Sequence, residues 1–313
     1  PTMHPIPGLQ EAVASGAVVD STGALSLEKI PERLVVVGGG VIGIEFAALF
    51  SAVGSEVIVL EKFSILNGLD REVQGQMRRI LRRAGVQVFE EADVQRFEGS
   101  TVVVQVGGEQ HRFTGDAVLV SLGRTPNLDA VASLDLELER GGIKTDHQMQ
   151  TSIPGVYAIG DVNGKQMLAH TASAEGIAAV ENILGNPTHV DYHKIPACVY
   201  SFPEIAVVGL TEEEARARGH AVQTGVFPFA ANGKALAEGE RDGFVKIVAD
   251  REYGEVLGVH IVGPDATDLI AEAANALQLE ATLSDLAQTI HPHPTLSEAL
   301  MEAAHVGLGM PIH

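Results

Sequence analysis

A glycine motif that directly follows an apolar run constrains the fold of this chain more than any other feature. The run LVVV, residues 34–37, leads into GGGVIG, in which Gly38, Gly40 and Gly43 form the pattern G-x-G-x-x-G. An apolar stretch follows, and then EVIVLE at residues 56–61. A strand, a glycine turn, a helix and a second strand in this order predict a βαβ unit that binds a dinucleotide.

Each glycine has its own physical task in such a unit. The first permits a tight turn, the second lets the backbone approach a pyrophosphate, and the third lets the helix pack closely on the strand. The helix N-terminus then offers N–H groups and partial positive charge to the phosphates. Glu61 ends the second strand, where a carboxylate accepts hydrogen bonds from ribose hydroxyls and repels a 2′-phosphate. We therefore expect NAD rather than NADP, although the neighbouring Lys62 weakens this argument.

Glu45 lies two residues after the last glycine of the motif. We expect it in the first turn of the helix, where a carboxylate suits the helix dipole. A role near a nicotinamide ring is an equally good interpretation, and the residues alone do not decide between the two.

The charge and composition of the chain exclude several classes of partner. Its 313 residues include 41 acidic and 21 basic side chains, which give a formal net charge of −20. Such a field repels nucleic acid and anionic membrane surfaces, so we expect neither as a partner. The most apolar stretch, residues 34–50, contains three consecutive glycines and Glu45 and is short for a membrane span, so we expect no transmembrane helix.

Cysteine usage points to a reducing compartment. Cys198 is the one cysteine, so the chain has neither an intrachain disulfide nor a multi-cysteine metal site. We expect a cytoplasmic setting, a core-packing role for Cys198 and no bound metal.

The hydrophobic pattern changes character along the chain. Residues 1–33 read as a lead-in with one short helix, and residues 71–85 show helical spacing with an apolar face. Short strands follow as far as the segment 151–162, and then a helix from about 168 to 184. From 195 onward the strands have hairpin-like spacing, and two helices close the chain, roughly at 265–279 and 295–305. The pattern predicts a Rossmann-like α/β domain followed by an α+β domain with an antiparallel sheet.

The segment HPHPTLSE, residues 291–298, concentrates proton-handling chemistry. His293 has the side chain best suited to proton transfer near neutrality, and Glu298 can orient its ring and stabilise the protonated form. The alternative is a helix-capping turn with incidental histidines. His291 receives no role from the residues alone.

Two further functions are compatible with these residues. Ser297 beside His293 and Glu298, with Glu272 on the preceding predicted helix, supplies the raw material of a hydrolase. The sequence has no G-x-S-x-G elbow and no evident oxyanion hole, which disfavours that function. The other possibility is a non-catalytic dimer that binds NAD.

Seven segments carry a resemblance to a known family. They are GGGVIGIE (38–45), VSLGRTPN (120–127), GVYAIGDV (155–162), MLAH (167–170), YSFPE (200–204), FPFAAN (227–232) and HPHPTLSE (291–298). In this order, over essentially the whole chain, they resemble dihydrolipoamide dehydrogenase, a family of flavoprotein disulfide oxidoreductases. HPHPTLSE is the most specific of them. The resemblance implies an NAD-binding domain with its lead-in over 1–127, the C-terminal part of an FAD domain over 128–190 and a dimerisation domain over 191–313.

The resemblance also implies a reaction and its residues. A homodimer would oxidise a dihydrolipoyl group, borne by the acyltransferase of a 2-oxo acid dehydrogenase complex, by means of NAD, FAD and a redox disulfide. His293 would be the catalytic base, oriented by Glu298. Asp161 would bind the flavin's ribityl and ribose–phosphate region, although on composition alone it also fits a turn cap. The remaining residues implied near the cofactor are Gly123, Arg124, Met167, Leu168, Ala169 and His170; the last four would set a helix N-terminus near the flavin pyrimidine ring.

Two parts of the family pattern are missing from these residues. The family's first dinucleotide motif, for FAD, and its pair of redox cysteines would come before residue 1. We therefore expect FAD to bind weakly or not at all, and the transfer of electrons from a dihydrolipoyl group to fail in this chain. We interpret the sequence as the C-terminal two-thirds of a parent enzyme, arising from a truncated gene, proteolysis or design.

Overall fold

A computed structural model describes residues 5–313, which form two compact units. The first unit contains the described residues up to Gly123 together with Pro196–His313, and the second is Arg124–Ile195. The helices are α1 (Leu9–Ala14), α2 (Ser21–Leu25), α3 (Val41–Ala52), α4 (Arg71–Arg83), α5 (Ala169–Ile183), α6 (Glu212–Ala217), α7 (Gly233–Glu238), α8 (Ala266–Gln278), α9 (Leu283–Gln288) and α10 (Glu298–Gly307).

Within residues 5–313 the strands form four separate sheets. They are β1 (Val18–Val19), β2 (Arg33–Val37), β3 (Glu56–Leu60), β4 (Gln87–Phe89), β5 (Asp93–Glu98), β6 (Thr101–Val106), β7 (Glu109–Thr114), β8 (Ala117–Val120), β9 (Leu138–Glu139), β10 (Gly142–Ile143), β11 (Ala197–Val199), β12 (Glu204–Gly209), β13 (Val222–Pro228), β14 (Phe244–Asp250) and β15 (Val256–Gly263).

The glycine motif belongs to a parallel sheet of order β1-β8-β2-β3-β4. Alternate residues of β2 face opposite sides of this sheet. Leu34 and Val36 join a core with residues of α3 and α4, whereas Val35 and Val37 join a core with residues of β5 and β6. The sheet is therefore covered on both faces, which is typical of parallel sheets whose strands are continuously apolar.

Helix α4 confirms the helical pattern read at residues 71–85. Val73, Met77, Ile80 and Leu81 are buried. Asp70 caps the helix by accepting the N–H of Glu72 at 2.9 Å.

The C-terminal part of the first unit is built on an antiparallel sheet of order β11-β12-β15-β14-β13. Helices α8, α9 and α10 bury their apolar residues in one core with β12 to β15. A parallel α/β sheet followed by an antiparallel sheet with helices is the predicted fold class, which is confirmed.

Three local predictions were wrong. The lead-in contains two short helices and a strand, β1, which pairs with β8 at the edge of the parallel sheet. Helix α9 was not foreseen. The segment 151–162 holds no regular strand, because only one bridge forms there, between Gln150 and Tyr157, before a 3-10 helix at Gly160–Asn163.

The second unit is small and is organised around a buried carboxylate. Glu175 of α5 is fully buried and accepts hydrogen bonds from the Gly160 N–H at 2.6 Å, Asn163 Nδ2 at 2.9 Å and the Tyr192 hydroxyl at 2.6 Å. Burial and the carboxylate of Glu175 raise the pKa of Tyr192, so its hydroxyl stays a donor. Between residues 5 and 313, no helix combines the length and apolarity needed to cross a bilayer.

Candidate functional site

The glycine loop, residues 38–43, connects β2 to α3 and shows a different constraint at each motif glycine. Gly38 has φ +108°, a conformation that L side chains rarely adopt. A Cβ on Gly43 would lie 1.9 Å from the Gly38 carbonyl oxygen, so only glycine allows this close contact between helix and turn. A Cβ on Gly40 would meet no atom within 4 Å. The loop therefore has a turn with positive φ, a tight contact and an open position, as a phosphate-binding loop requires.

A pocket of about 520 Å³ adjoins this loop, and we call it the glycine-loop pocket. Its wall includes Gly38, Gly40, Glu61 and Gly123, and Phe63 contributes an exposed ring. Gly40 is the N-cap of α3 and supplies no side chain to the first N–H groups of that helix. A helix N-terminus without a side-chain cap, facing a pocket of this size, is suited to a phosphorylated ligand.

Glu61 is held by the backbone at the edge of this pocket. Its Oε2 accepts the Gly39 N–H at 2.6 Å, and its Oε1 accepts the Phe63 N–H at 2.8 Å. The carboxylate thus braces the glycine loop from the end of β3, where it lines the pocket.

Lys62 is paired within the same pocket wall. Its Nζ lies 3.1 Å from Oδ1 of Asp93, and the other oxygen of Asp93 accepts Gln95 Nε2 at 2.6 Å. Hydrogen bonds from Lys62 and Gln95 hold the pKa of Asp93 below its usual value. No sequence pattern indicated this pair, because Lys62 and Asp93 come together only through the fold.

Glu45 lies in the second turn of α3, so the expected place in the first turn was wrong. Its Oε1 accepts the N–H of Tyr200 at 2.9 Å and so connects α3 to the segment after β11. Burial raises the pKa of Glu45, and the hydrogen bond from Tyr200 opposes that rise in part. The segment YSFPE (200–204) carries the family resemblance, but no sequence pattern indicated that Tyr200 contacts Glu45, which lies 155 residues away along the chain.

His293 and Glu298 are paired as the spacing suggested. His293 Nδ1 lies 2.9 Å from Glu298 Oε1, and Glu298 Oε2 accepts the Thr295 N–H at 2.8 Å. Burial opposes ionisation of Glu298, but the hydrogen bonds from Thr295 and His293 outweigh it and lower its pKa. Because the ionised carboxylate takes a proton donor at Nδ1, the neutral ring presents its lone pair at Nε2. The imidazole is 77% exposed, so that atom is accessible.

His291, which had no predicted role, anchors the same loop. Its Nε2 lies 2.8 Å from Glu272 Oε1 on α8, and its Nδ1 lies 2.9 Å from the Thr289 carbonyl oxygen. Its side chain is 4% exposed, so it fastens the loop to α8 from inside.

The residues of the hydrolase alternative do not form a catalytic group. Ser297 Oγ lies 3.0 Å from Thr295 Oγ1, and among the contacts of residues 5–313 it has no hydrogen bond to His293. Glu272 pairs with His291 instead. Ser297 also makes no side-chain capping bond to α10. No observation on the described residues favours hydrolysis.

The remaining predicted residues lie in the second unit. Asp161 is exposed within the 3-10 helix Gly160–Asn163, whose first N–H is held by the buried Glu175. Arg124 is exposed. Leu168 is the N-cap of α5 and has no side-chain capping bond; Met167 precedes it and is half-buried, and the exposed Ala169 and His170 open the helix.

Cys198 lies half-buried in β11. Burial, together with the carboxylates of Glu204 and Asp268, raises the pKa of its thiol, which therefore favours the unreactive protonated form. In the part of the chain that the structure describes, no group of three or more His, Cys, Asp or Glu side chains is arranged to hold a metal ion.

This fold and pocket define a class: a dinucleotide-binding α/β protein with an appended antiparallel sheet. Residues 1–176 match the family model described as pyridine nucleotide-disulphide oxidoreductase, and residues 195–304 match the dimerisation domain of the same family. The chain belongs to the pyridine nucleotide-disulphide oxidoreductases.

Within this family, the chain is similar to dihydrolipoyl dehydrogenases. A dihydrolipoyl dehydrogenase of Bacillus subtilis is 45% identical over 98% of this chain and 67% of its own length. That of Geobacillus stearothermophilus is 44% identical over 96% of this chain and 65% of its own length. The chain thus spans about two-thirds of the length of these relatives. The resemblance to dihydrolipoamide dehydrogenase read from the motifs is confirmed, and the family uses FAD and NAD.

Solved structures agree with this assignment. The copper(II) complex of a mutant of the HOCl-induced flavoprotein disulfide reductase RclA from Escherichia coli has a TM-score of 0.87 and 29% identity. The match covers 96% of this chain and 69% of that one. LpdA from Mycobacterium tuberculosis has a TM-score of 0.83 and 30% identity, over 92% of this chain and 64% of that one.

Proposed function

We propose that these residues are the NAD-binding and dimerisation part of a dihydrolipoyl dehydrogenase. The glycine-loop pocket carries the proposal, because it combines the three motif glycines with a carboxylate at the end of the second strand. NAD would place its pyrophosphate over Gly40 at the N-terminus of α3 and its adenosine ribose against Glu61. Glu45, on α3 beyond the loop, is the proposed residue near the nicotinamide ring.

The segment 291–298, which we call the histidine loop, is proposed to supply the base. A thiol must lose its proton to become a nucleophile, and Nε2 of His293 is an exposed acceptor for that proton. Glu298 holds the ring at Nδ1 and stabilises the imidazolium that results. The thiol that loses this proton would belong to a dihydrolipoyl group. The chain's own Cys198 is unsuited to that role, because it is a half-buried thiol with a raised pKa.

The second unit has two buried polar atoms that a bound flavin could satisfy. Gln166 Oε1 and Thr171 Oγ1 are buried without a hydrogen-bond partner in the described structure, on either side of the start of α5. Bound FAD would supply the two-electron carrier between a dithiol and NAD. Asp161 would bind its ribityl and ribose–phosphate region, and Met167–His170 would present the N-terminus of α5 to it. Gly123 and Arg124 are the other residues proposed near the cofactor.

The proposed partners follow from the same relatives. The domain at 195–304 supports a homodimer, and dihydrolipoyl dehydrogenase relatives suggest the lipoyl-bearing acyltransferase of a 2-oxo acid dehydrogenase complex as the partner. A cytoplasmic location remains an expectation from the single cysteine.

The experiment is a titration of the purified chain with NADH, followed by nucleotide fluorescence, for wild type and Glu61→Ala. We expect saturable binding by wild type and a loss of about tenfold or more in affinity for the variant, as for a removed charge-assisted hydrogen bond. Glu109→Ala, an exposed glutamate on β7 outside the pocket, is the matched control and should bind as wild type does. Equal affinity in all three proteins would refute the proposed site.

A flavin spectrum then separates an oxidoreductase from a non-catalytic dimer. The chain is mixed with FAD, passed through a desalting column and treated with NADH while visible absorbance is recorded. Retained flavin that NADH bleaches supports the oxidoreductase. NADH binding without retained flavin supports the NAD-binding dimer.

A further inference from the structure

We propose that Asp93 determines cofactor selectivity by holding Lys62 away from the nucleotide, so that the glycine-loop pocket takes NAD in preference to NADP. This inference rests on the proposed NAD-binding function and adds to it a residue that acts through another side chain.

The ammonium of Lys62, if unpaired, would oppose a preference of the pocket for NAD. An ammonium directly after the ribose-binding carboxylate is suited to bind a 2′-phosphate, which would favour NADP. Glu61, Lys62 and Asp93 all line the same pocket, so the charges of all three act on a ligand bound there. The selectivity of the pocket therefore depends on which charge faces the ligand.

The geometry assigns the ammonium to Asp93. Lys62 Nζ lies 3.1 Å from Asp93 Oδ1, and Gln95 Nε2 holds the second carboxylate oxygen at 2.6 Å. The backbone brings the two residues close together, because the N–H of Ala92 donates to the carbonyl oxygen of Glu61 at 2.9 Å. The start of β5 is thereby joined to the end of β3, and Asp93 stands opposite Lys62 at the pocket wall.

The local charges then disfavour a phosphate. Two carboxylates and one ammonium leave a net charge of −1 among these three pocket residues, whereas a phosphate monoester adds about −1.5 to −2 near neutral pH. Removing the charge of Asp93 makes the net charge of these three residues zero and leaves Lys62 free to pair with the phosphate. Lys62 and Asp93 are 64% and 52% exposed, so water screens the effect and we expect a graded change in selectivity.

The test compares NADH and NADPH binding to wild type and Asp93→Asn by the same fluorescence titration. Asparagine keeps the shape of the side chain and can still accept from Gln95. We expect the ratio of the NADPH to the NADH dissociation constant to fall about three- to fivefold, which is the effect of one added charge pair at the upper end of the range for solvent-exposed groups. NADH affinity should change less than about twofold, and added salt should diminish the gain for NADPH.

Two further variants show whether the change acts through Lys62. The double variant Lys62→Met/Asp93→Asn should return to the wild-type ratio. Glu98→Gln removes an exposed carboxylate at the other end of β5, paired with Arg96 at 2.8 Å and outside the pocket wall, and should leave the ratio unchanged.

The outcomes separate the inference from the function on which it rests. NADH binding with an unchanged ratio in Asp93→Asn overturns the inference and leaves the NAD site standing. A gain for NADPH that persists in the double variant also overturns it, since Lys62 would not be the cause. If wild type binds neither nucleotide, the proposed function fails and the inference fails with it.

Discussion

At the scale of single residues, the glycine loop separates the demands of folding from those of binding. Gly43 contacts the Gly38 carbonyl so closely that a methyl group cannot fit, whereas Gly40 faces open space at φ −73°. Both are motif glycines, and the motif alone does not reveal which one the fold needs.

Alanine at these two positions should therefore have opposite effects. Gly43→Ala should lower the free energy of unfolding by about 1–3 kcal/mol, as for overpacking in a tight contact. Gly40→Ala should keep wild-type stability but weaken NADH binding, because the methyl group occupies the approach of the pyrophosphate. Urea unfolding and the NADH titration measure the two effects. Equal loss of stability in both variants would contradict this assignment.

The histidine loop makes a second prediction at this scale. With Glu298 accepting at Nδ1, neutral His293 should carry its proton there, and Glu298→Ala should give a mixture of the two tautomers. Nitrogen-15 chemical shifts of the ring report the tautomer directly. Glu272→Ala is the matched control, because it should alter the signals of His291 and leave the tautomer of His293 unchanged.

The residues that the sequence revealed are those whose partners are close along the chain. The three glycines lie within six positions, and His293 and Glu298 are five apart. Glu45 with Tyr200, His291 with Glu272, and Lys62 with Asp93 are separated by 19 to 155 positions and meet only because elements pack together. No local pattern encodes such distances, so these pairs required the structure.

At the scale of elements, a buried charge cluster joins three of them. Nζ of Lys246, on β14, lies 3.0 Å from Asp70 Oδ2 before α4, 2.7 Å from Glu72 Oε1 in α4 and 3.0 Å from Glu212 Oε2 in α6. Burial opposes the charge on Lys246, but the carboxylates outweigh it and raise its pKa. Burial likewise opposes ionisation of Asp70, yet its charged neighbours and hydrogen bonds lower its pKa. The cluster fastens α4 to the antiparallel sheet.

Replacing the ammonium of Lys246 should show how much this charge cluster contributes to the free energy of unfolding. Lys246→Met leaves three carboxylates together, with Asp70 buried, and should cost about 3–5 kcal/mol of unfolding free energy at pH 7. Without its cation, the buried Asp70 should have a folded-state pKa above its unfolded value, so the folded variant gains protons as pH falls. The loss of unfolding free energy in Lys246→Met relative to wild type should therefore become smaller as the pH falls from 7 toward the pKa of a carboxyl group in the unfolded chain.

Urea unfolding at pH 7 and at mildly acidic pH tests this prediction. Lys234→Met, which removes an exposed pair with Glu238 inside α7, is the control and should change stability little at either pH. A deficit that grows as the pH falls would contradict the assignment of the cost to unpaired carboxylates.

Elements were predictable where periodicity and length were unambiguous. The structure contains the buried strands β2 and β3 and the amphipathic helix α4 where the sequence predicted them. The failures are short elements, because two-residue β1 and six-residue α9 are fixed by neighbours rather than by their own pattern. The apolar segment after Pro154 and Gly155 reads as a strand, but it finds only a single bridge and so forms no sheet.

At the scale of the whole molecule, apolar burial is distributed unequally between the two units. The four apolar clusters of the described structure consist of residues of the first unit. In the second unit, the buried Glu175 and its hydrogen bonds hold the turn before α5. Helix α5 leaves three large apolar side chains exposed, Ile177, Val180 and Ile183, and its C-cap residue Leu184 is also exposed.

We therefore expect the second unit to open first. Stability varies across a protein with local apolar contact, so amides of Arg124–Ile195 should exchange with deuterium faster than those of the two central sheets. Hydrogen exchange followed by mass spectrometry measures this peptide by peptide, with β2 and β15 as the protected references. Glu175→Gln should accelerate exchange within the second unit further, since it replaces a charged acceptor of three hydrogen bonds. Protection in residues 124–195 equal to that of β2, or exchange unaffected by Glu175→Gln, would show that the second unit is stabilised by something other than this network.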